Sequence, residues 1–479
     1  MWTLKNSLII ENNSEIFDFR FEFDNILMWP FMRFDLHNIP ICKEYNLGQL
    51  PSSREKLTFI YLKNTLLNNP FKYRLKTKYD ILMFCSGITN VKMGDKYFNR
   101  VSDHFAFINK DKTLLIEDSV RRRIYYTPRY FPNICYHDFI PLAGYIKSKF
   151  VKPGKKDIIT IKNLRKFLEQ LFPYQLEKSE LNTIEDALLY ISKRLTIYYY
   201  LYNKLFDKFN PKVIFLEDGS YGGNSYILKW AKARNIITIE PEHGLVYENH
   251  PAYNYGHAIL NSDIYKEYLP DYFLTYGKYW SEVINLPVKK ITIGNPFYCE
   301  NIKKISTTNQ SRTKTKILIV FSGGLIPDMK EIVLKFLCII DNSKYDVSFR
   351  VHPIELPDVK ERYSEIIAKN TIKIDTEQNV YLSLSNTDFV VGEPSTVLFE
   401  SIGFCKSVFV IDHPFTDLYF PRSIIKRFSN AEELMNLIIT HNSNNEINKD
   451  YIWEPNWEVN YKNFMDRLMS VNLVSVQVV

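Results

Sequence analysis

A chain of 479 residues is longer than one hydrophobic core serves and calls for two or three domains. Apolar residues at 46% and charged residues at 24% exclude a disordered or fibrous chain, and no apolar run approaches the ~18 residues that cross a bilayer. The 61 basic and 54 acidic side chains leave a net charge of +7 with no nucleic-acid-binding module beside it, so nucleic acid is not an expected partner.

The six cysteines are scattered without a CxxC pair, which points to a reducing compartment rather than a disulfide framework or a zinc site. The N-terminus lacks a secretory apolar core, so the expected location is the cytoplasm. Two basic runs, Arg121–Arg123 and the lysines at 147, 149, 152, 155 and 156, read either as solvated faces or as contacts with anionic lipid headgroups on the inner membrane face. The 33 Tyr and 33 Phe are open to a bland reading as coding bias and to a functional one as sugar-stacking platforms.

In chain order, residues 1–75 show no clear period and read as an irregular N-terminal addition. Continuous apolar runs then read as buried strands at 80–84, 114–116, 213–216, 236–239 and 272–275. Helices are expected over 184–209, capped by Asn182 or Thr183, and over 224–234. The polar, basic stretch 299–316 reads as a linker closing an N-terminal domain of residues 1–298. Strands at 317–321, 347–351, 388–391 and 408–411, with a helix over 395–402, build a second domain over 317–445. Residues 446–479 form a tail, with Trp453, Trp457, Phe464, Leu468 and Met469 expected to fold back on the first domain. Strand–helix alternation of this kind means α/β, doubly wound in both domains.

Four groups at strand ends could carry chemistry, because open α/β sheets bind ligands at the carboxyl ends of their strands. Glu217-Asp218-Gly219 follows the strand at 213–216. It reads either as a general base for an acceptor hydroxyl or as acidic capping of the next helix. Glu242-His243-Gly244 follows the next strand. His243, His250 and His257 recur every seven residues, but Pro241, Gly244, Pro251 and Gly256 break any helix that would align them on a metal. A substrate-binding loop carrying His243, His250, Tyr253 and Tyr255 fits better. Arg350-Val351-His352-Pro353 ends a strand on a histidine that could meet a leaving phosphate, or sit in a turn. Gly392-Glu393-Pro394-Ser395-Thr396 opens a helix and reads as a phosphate seat or as a plain N-cap.

These residues resemble motifs of bacterial GT-B glycosyltransferases of surface-polysaccharide assembly. Glu217-Asp218-Gly219, His352-Pro353 and Ser395-Thr396 are similar, in that order, to the acidic-acidic-Gly, His-Pro and Ser-Ser/Thr motifs of bacterial sialyltransferases and polysialyltransferases. Glu242-His243-Gly244 with His250 and Tyr253 resembles a Gln-His-Gly pattern of capsule and lipopolysaccharide proteins, with Glu242 in place of Gln. The resemblance implies two Rossmann-like domains facing a central cleft. It implies Asp218 as catalytic base, with His352 and His243 beside the chemistry. It implies Arg350, His352, Pro353, Glu393, Ser395 and Thr396 on a nucleotide-sugar donor, CMP-linked among the options. It implies Glu217, Gly219, His243, His250 and Tyr253 on a glycan or lipid-linked glycan acceptor. Inverting transfer with no metal and no resident cofactor is expected, the nucleotide-sugar being a co-substrate. A nucleotide-sugar 2-epimerase, a teichoic-acid-type polyol-phosphate transferase and a non-catalytic scaffold are the rival readings. A nicotinamide oxidoreductase is disfavoured because no strand is followed by GxGxxG.

Overall fold

The computed structural model describes residues 4–45, 59–71, 78–120, 124–172, 175–305, 313–322, 326, 328–369, 371–404, 407–441 and 448–474. The chain forms two compact units. The first comprises Met1–Tyr276, Ser281–Pro296 and Glu458–Val479; the second comprises Gly277–Trp280 and Phe297–Trp457.

The first unit carries β1 (Ile81–Ser86), β2 (Asn90–Met93), β3 (Lys96–Asn99), β4 (Thr113–Asp118), β5 (Ile134–Tyr136), β6 (Val213–Leu216), β7 (Ile237–Pro241), β8 (Tyr272–Thr275) and β9 (Lys289–Thr292). β2 and β3 form an antiparallel hairpin. The others form one parallel sheet in the order β5-β4-β1-β6-β7-β8-β9. All four residues of β6, and all but the last residue of β1 and β4, are buried, as strands covered on both faces require. The chain winds outward from β1 through β4 to β5, then resumes on the other side of β1 with β6. The switch point therefore lies between β1 and β6, with its crevice at Ser86 and Glu217.

The second unit repeats the plan with β10 (Thr315–Val320), β11 (Tyr345–Arg350), β12 (Ile372–Ile374), β13 (Phe389–Gly392), β14 (Ser407–Ile411) and β15 (Lys426–Phe428). Its parallel order is β12-β11-β10-β13-β14-β15, which sets the switch point between β10 and β13. The doubly wound α/β class expected from the sequence is the class observed in both units.

Several elements differ from expectation. The N-terminal region is helical over Trp29–Glu44. Its buried stripe, Trp29, Arg33, Leu36, His37 and Pro40, follows helical spacing but contains an arginine and a histidine, so apolar counting misses it. Both are buried because Glu11 receives them: its Oε1 accepts from Arg33 Nε at 2.7 Å and lies 3.0 Å from His37 Nε2. The single helix expected over 184–209 is two, Lys178–Ser192 and Leu195–Phe209. The first begins in a capping box of Glu177 and Glu180, not at Asn182 or Thr183. Part of the expected linker is the helix Pro296–Lys304, while residues 306–312 lie outside the described residues, as do Arg121–Arg123. The closing helix Trp457–Val474 packs in the first unit, with Tyr461 against Phe105 at a 4.6 Å ring separation and Phe464 against Tyr272 at 5.2 Å.

Candidate active site

At the switch point of the first unit, the acidic pair divides its labour. Glu217 is buried, and its Oε2 accepts the backbone N–H of Ser86 across the sheet at 2.8 Å. Burial pushes its pKa up to about 8, against the Ser86 amide, which lowers it; the adjacent Asp218 charge adds to the rise. Glu217 is thus a brace between β1 and β6 that holds a proton more readily than a free glutamate. Asp218 leaves the sheet in a non-helical conformation and points into a cavity of about 250 Å³. Solvent reaches its carboxylate through the cavity mouth, while protein crowds it on the other sides. That crowding raises its pKa, and the Asp118 carboxylate raises it further, while the Asn224 side chain and His137 work the other way.

Besides Glu217 and Asp218, the cavity is lined by Ser86, Thr89, Asp118, His137, Tyr221, Asn224 and His243. Sequence reasoning missed Asp118 and His137. Asp118 ends β4 and His137 follows β5, so the parallel sheet alone delivers both to the same edge as Asp218. His137 Nδ1 lies 2.7 Å from Asp118 Oδ1, and Nε2 lies 2.6 Å from the Tyr202 hydroxyl. Burial works to lower the His137 pKa. Asp118, backed by Asp138 and Asp218, more than reverses this, and the imidazole stands above its ordinary value. The signal available in the sequence was positional only: an acid and a histidine at the ends of two strands.

His243 follows β7, and burial lowers its pKa to about 4, so the ring it offers the cavity is neutral. Behind the cavity stands a wall of rings. Tyr221 packs against Phe34, His243, His250 and Tyr253 with centroids 4.7, 5.6, 5.5 and 6.0 Å away. His250 Nδ1 accepts the Ala252 N–H at 3.2 Å, which leaves the Nε2 proton for the Tyr221 hydroxyl at 3.1 Å. Tyr253 is buried and donates to Glu240 Oε1 at 3.2 Å, while Glu240 Oε2 accepts the Ser220 N–H at 2.8 Å. Gly219 packs on this same carboxylate. Gly222 has φ +88°, and a Cβ there would meet the Pro30 carbonyl oxygen, so only glycine lets the turn close on the N-terminal helix.

Of the five residues expected on an acceptor, Glu217 and His243 therefore line the cavity. Gly219, His250 and Tyr253 form its supporting wall and do not line it.

In the second unit, β10, β11 and β13 bring the remaining expected residues to one carboxyl edge. Arg350 is mostly buried, its Nη1 donating to Asp375 Oδ2 at 2.9 Å and to the Glu377 carbonyl at 2.7 Å, so it is tied to the loop after β12. Glu393 is buried; its Oε2 accepts the Ser322 N–H at 2.7 Å and its Oε1 the Ile326 N–H at 3.3 Å. Both belong to the framework of this edge. Ser395 caps the helix Thr396–Ser401, its Oγ accepting the Val397 N–H at 3.3 Å. His352 and Thr396 are exposed, and Pro353 opens a 3-10 turn, Pro353–Asp358. A cavity of about 300 Å³ lies beside β10, β11 and β12, with Lys316, Asp346, Lys373, Asp375 and Glu377 among its lining, and none of the residues expected on the donor lines it.

No family model matches the chain, and no curated protein does. Solved structures similar to it include the Wall Teichoic Acid Polymerase TagF, at 11% identity over 87% of this chain and 98% of that one, with a TM-score of 0.41. UDP-GlcNAc 2-epimerase from Neisseria meningitidis bound to UDP-GlcNAc shares 12% identity over 81% and 99%, TM-score 0.42. The lipopolysaccharide outer core galactosyltransferase WaaB in its apo form shares 11% over 81% and 99%, TM-score 0.41. At such identities and TM-scores these likenesses carry no argument about the chemistry of this chain.

Proposed function

We propose that the protein is a glycosyltransferase that moves a sugar from a nucleotide-activated donor to a hydroxyl of a glycan or lipid-linked glycan. The observation that carries this reading is Asp218: a solvent-reached carboxylate with a raised pKa, in a cavity at a sheet's switch point, held by a braced turn. Such a group takes a proton from an acceptor hydroxyl as that oxygen attacks the anomeric carbon. The bond from that carbon to the donor phosphate breaks, and the nucleotide leaves with the electron pair. One displacement by one base inverts the anomeric centre. Asp118 and His137 position the charge: the Asp118 carboxylate keeps the Asp218 pKa high, and His137 holds Asp118 in place. The second unit supplies the donor contacts, with Thr396, Ser395 and His352 meeting the phosphate. No resident cofactor takes part, and transfer is expected to persist in a chelator.

The test is a thermal-shift screen against CMP, UDP, GDP and CDP, since a nucleotide that binds the folded state raises its stability. The matching activated sugars are then incubated with and without glycan acceptors. Acceptor-dependent release of the nucleotide with a new glycosidic bond is the expected result. An epimerised nucleotide sugar formed without acceptor, or transfer of a polyol phosphate, would replace this reading.

A further inference from the structure

We propose that the connection between the helices Phe139–Ser148 and Lys155–Leu171 of the first unit docks the protein on an anionic lipid surface. Phe150 is 84% exposed, so it lies against almost nothing of its own chain, and the fold gives no reason for it. Ile146 at 52%, Val151 at 39% and Tyr145 at 38% surround it in sequence, and Ile159 follows one helical turn into the next helix at 60%. Lys147, Lys149, Lys152, Lys155 and Lys156 are interleaved with these apolar side chains. Lys147 is tied to the Thr196 hydroxyl and Lys149 sits 4.9 Å over the Tyr145 ring, while Lys152, Lys155 and Lys156 are exposed.

The acidic residues of this stretch do not cancel the five cations. Asp157 is turned inward and accepts the backbone N–H of Glu22 at 2.8 Å, while the exposed Glu22 carboxylate lies beside Gly154. Underneath, the buried Arg194 stacks 3.0 Å over the Tyr190 ring and reaches the Ser148 hydroxyl at 3.4 Å, so the platform under the loop is fixed. Lysine stems lie along apolar surface while their ammonium groups reach for phosphate, and protruding aromatic and aliphatic tips enter the acyl boundary. Among the described residues no helix is long and apolar enough to cross a membrane. A protruding phenylalanine with lysines around it suits a bilayer better than an acidic protein, which would need a recess of its own to receive it.

The test uses the full chain and vesicle co-sedimentation, with no turnover required, so its outcome is independent of the proposed reaction. Vesicles of phosphatidylcholine containing phosphatidylglycerol are compared with phosphatidylcholine alone. Binding to the anionic vesicles only, weakened by salt, is expected. Each lysine contributes about fivefold to partitioning, so the combined Lys149→Glu, Lys152→Glu, Lys155→Glu and Lys156→Glu variant should not sediment with the vesicles. Phe150→Ser with Val151→Ser should bind at least about tenfold more weakly. All these positions are exposed, and circular dichroism checks that each variant is folded. Equal binding to neutral vesicles, no binding to either, unchanged binding by the folded variants, or capture of an acidic protein without vesicle binding would each overturn the proposal.

Discussion

The two switch points are built on one plan and finished differently. In the first unit Glu217, after β6, accepts the amide of Ser86, the last residue of β1, at 2.8 Å; in the second, Glu393, after β13, accepts the Ser322 amide just beyond β10 at 2.7 Å. In each unit a buried glutamate ties the two strands that flank the crevice. The two edges diverge at the next residue. Asp218 opens on a cavity with Asp118, His137 and His243. Pro394 is buried and hands the chain to Ser395 and Thr396, at an edge where His352 is the exposed titratable side chain among the expected residues. The first edge gathers carboxylates and imidazoles around a cavity, and the second gathers two hydroxyls and an imidazole. The brace is a feature of the architecture, so a Glu at a strand end is weak evidence of chemistry; the residue after it carries the information.

This contrast can be broken by substitution. The largest effect is expected at Asp218→Asn, which should lower turnover by about 10²–10⁴-fold while leaving nucleotide affinity as it was, read by a transfer assay beside calorimetry. The braces come next. Glu217→Ala and Glu393→Ala each leave a strand-end amide without its acceptor and should cost about 1–3 kcal/mol in chemical denaturation, whereas Glu217→Gln keeps an acceptor and should cost far less. In the second unit, His352→Ala and Thr396→Ala should each weaken nucleotide binding by about tenfold, since each removes one contact to a charged group. An effect on turnover with no effect on binding would assign these residues to the wrong role.

A further effect is a slope with pH. Glu217 and Glu240 hold their protons to about pH 8 in the folded chain, against an ordinary value of 4.5 once unfolded. Between these limits the folded state binds more protons than the unfolded one, so stability falls as pH rises from about 5 to 8. Glu217→Gln with Glu240→Gln should flatten that fall in thermal melts taken across the range.

The interior strands were legible in the sequence because β1, β4, β6, β7, β8, β10, β11, β13 and β14 are mostly apolar runs. The short hairpin β2–β3 was unread, and so were β5, β9, β12 and β15, the four edges of the two parallel sheets, each three or four residues long. Lys289, Lys290, Lys373, Lys426 and Arg427 charge three of them, which protects an edge and hides its periodicity. Placing Asp218, His243 and His352 at strand ends needed only the order strand-then-residue. Asp118 and His137 needed more: that β4 and β5 lie beside β1 is a fact of topology that no local pattern states. The ring wall behind the cavity stayed unread for a similar reason, since His250 and Tyr253 look like ligand contacts until Glu240 and Tyr221 are seen to hold them.

The most direct test of Asp218 as the base is the pH dependence of transfer in the parent protein and in Asp118→Asn. Asp218 works deprotonated, so the rate should rise with pH along a limb shifted up from the ordinary aspartate value. Asp118 raises the Asp218 pKa more than His137 lowers it, so removing the Asp118 charge should move that limb to lower pH. Asp218→Asn should abolish the limb together with most of the rate. A limb that stays in place in Asp118→Asn, or survives at full rate in Asp218→Asn, would contradict the account and move the search for the base to His243 or His137.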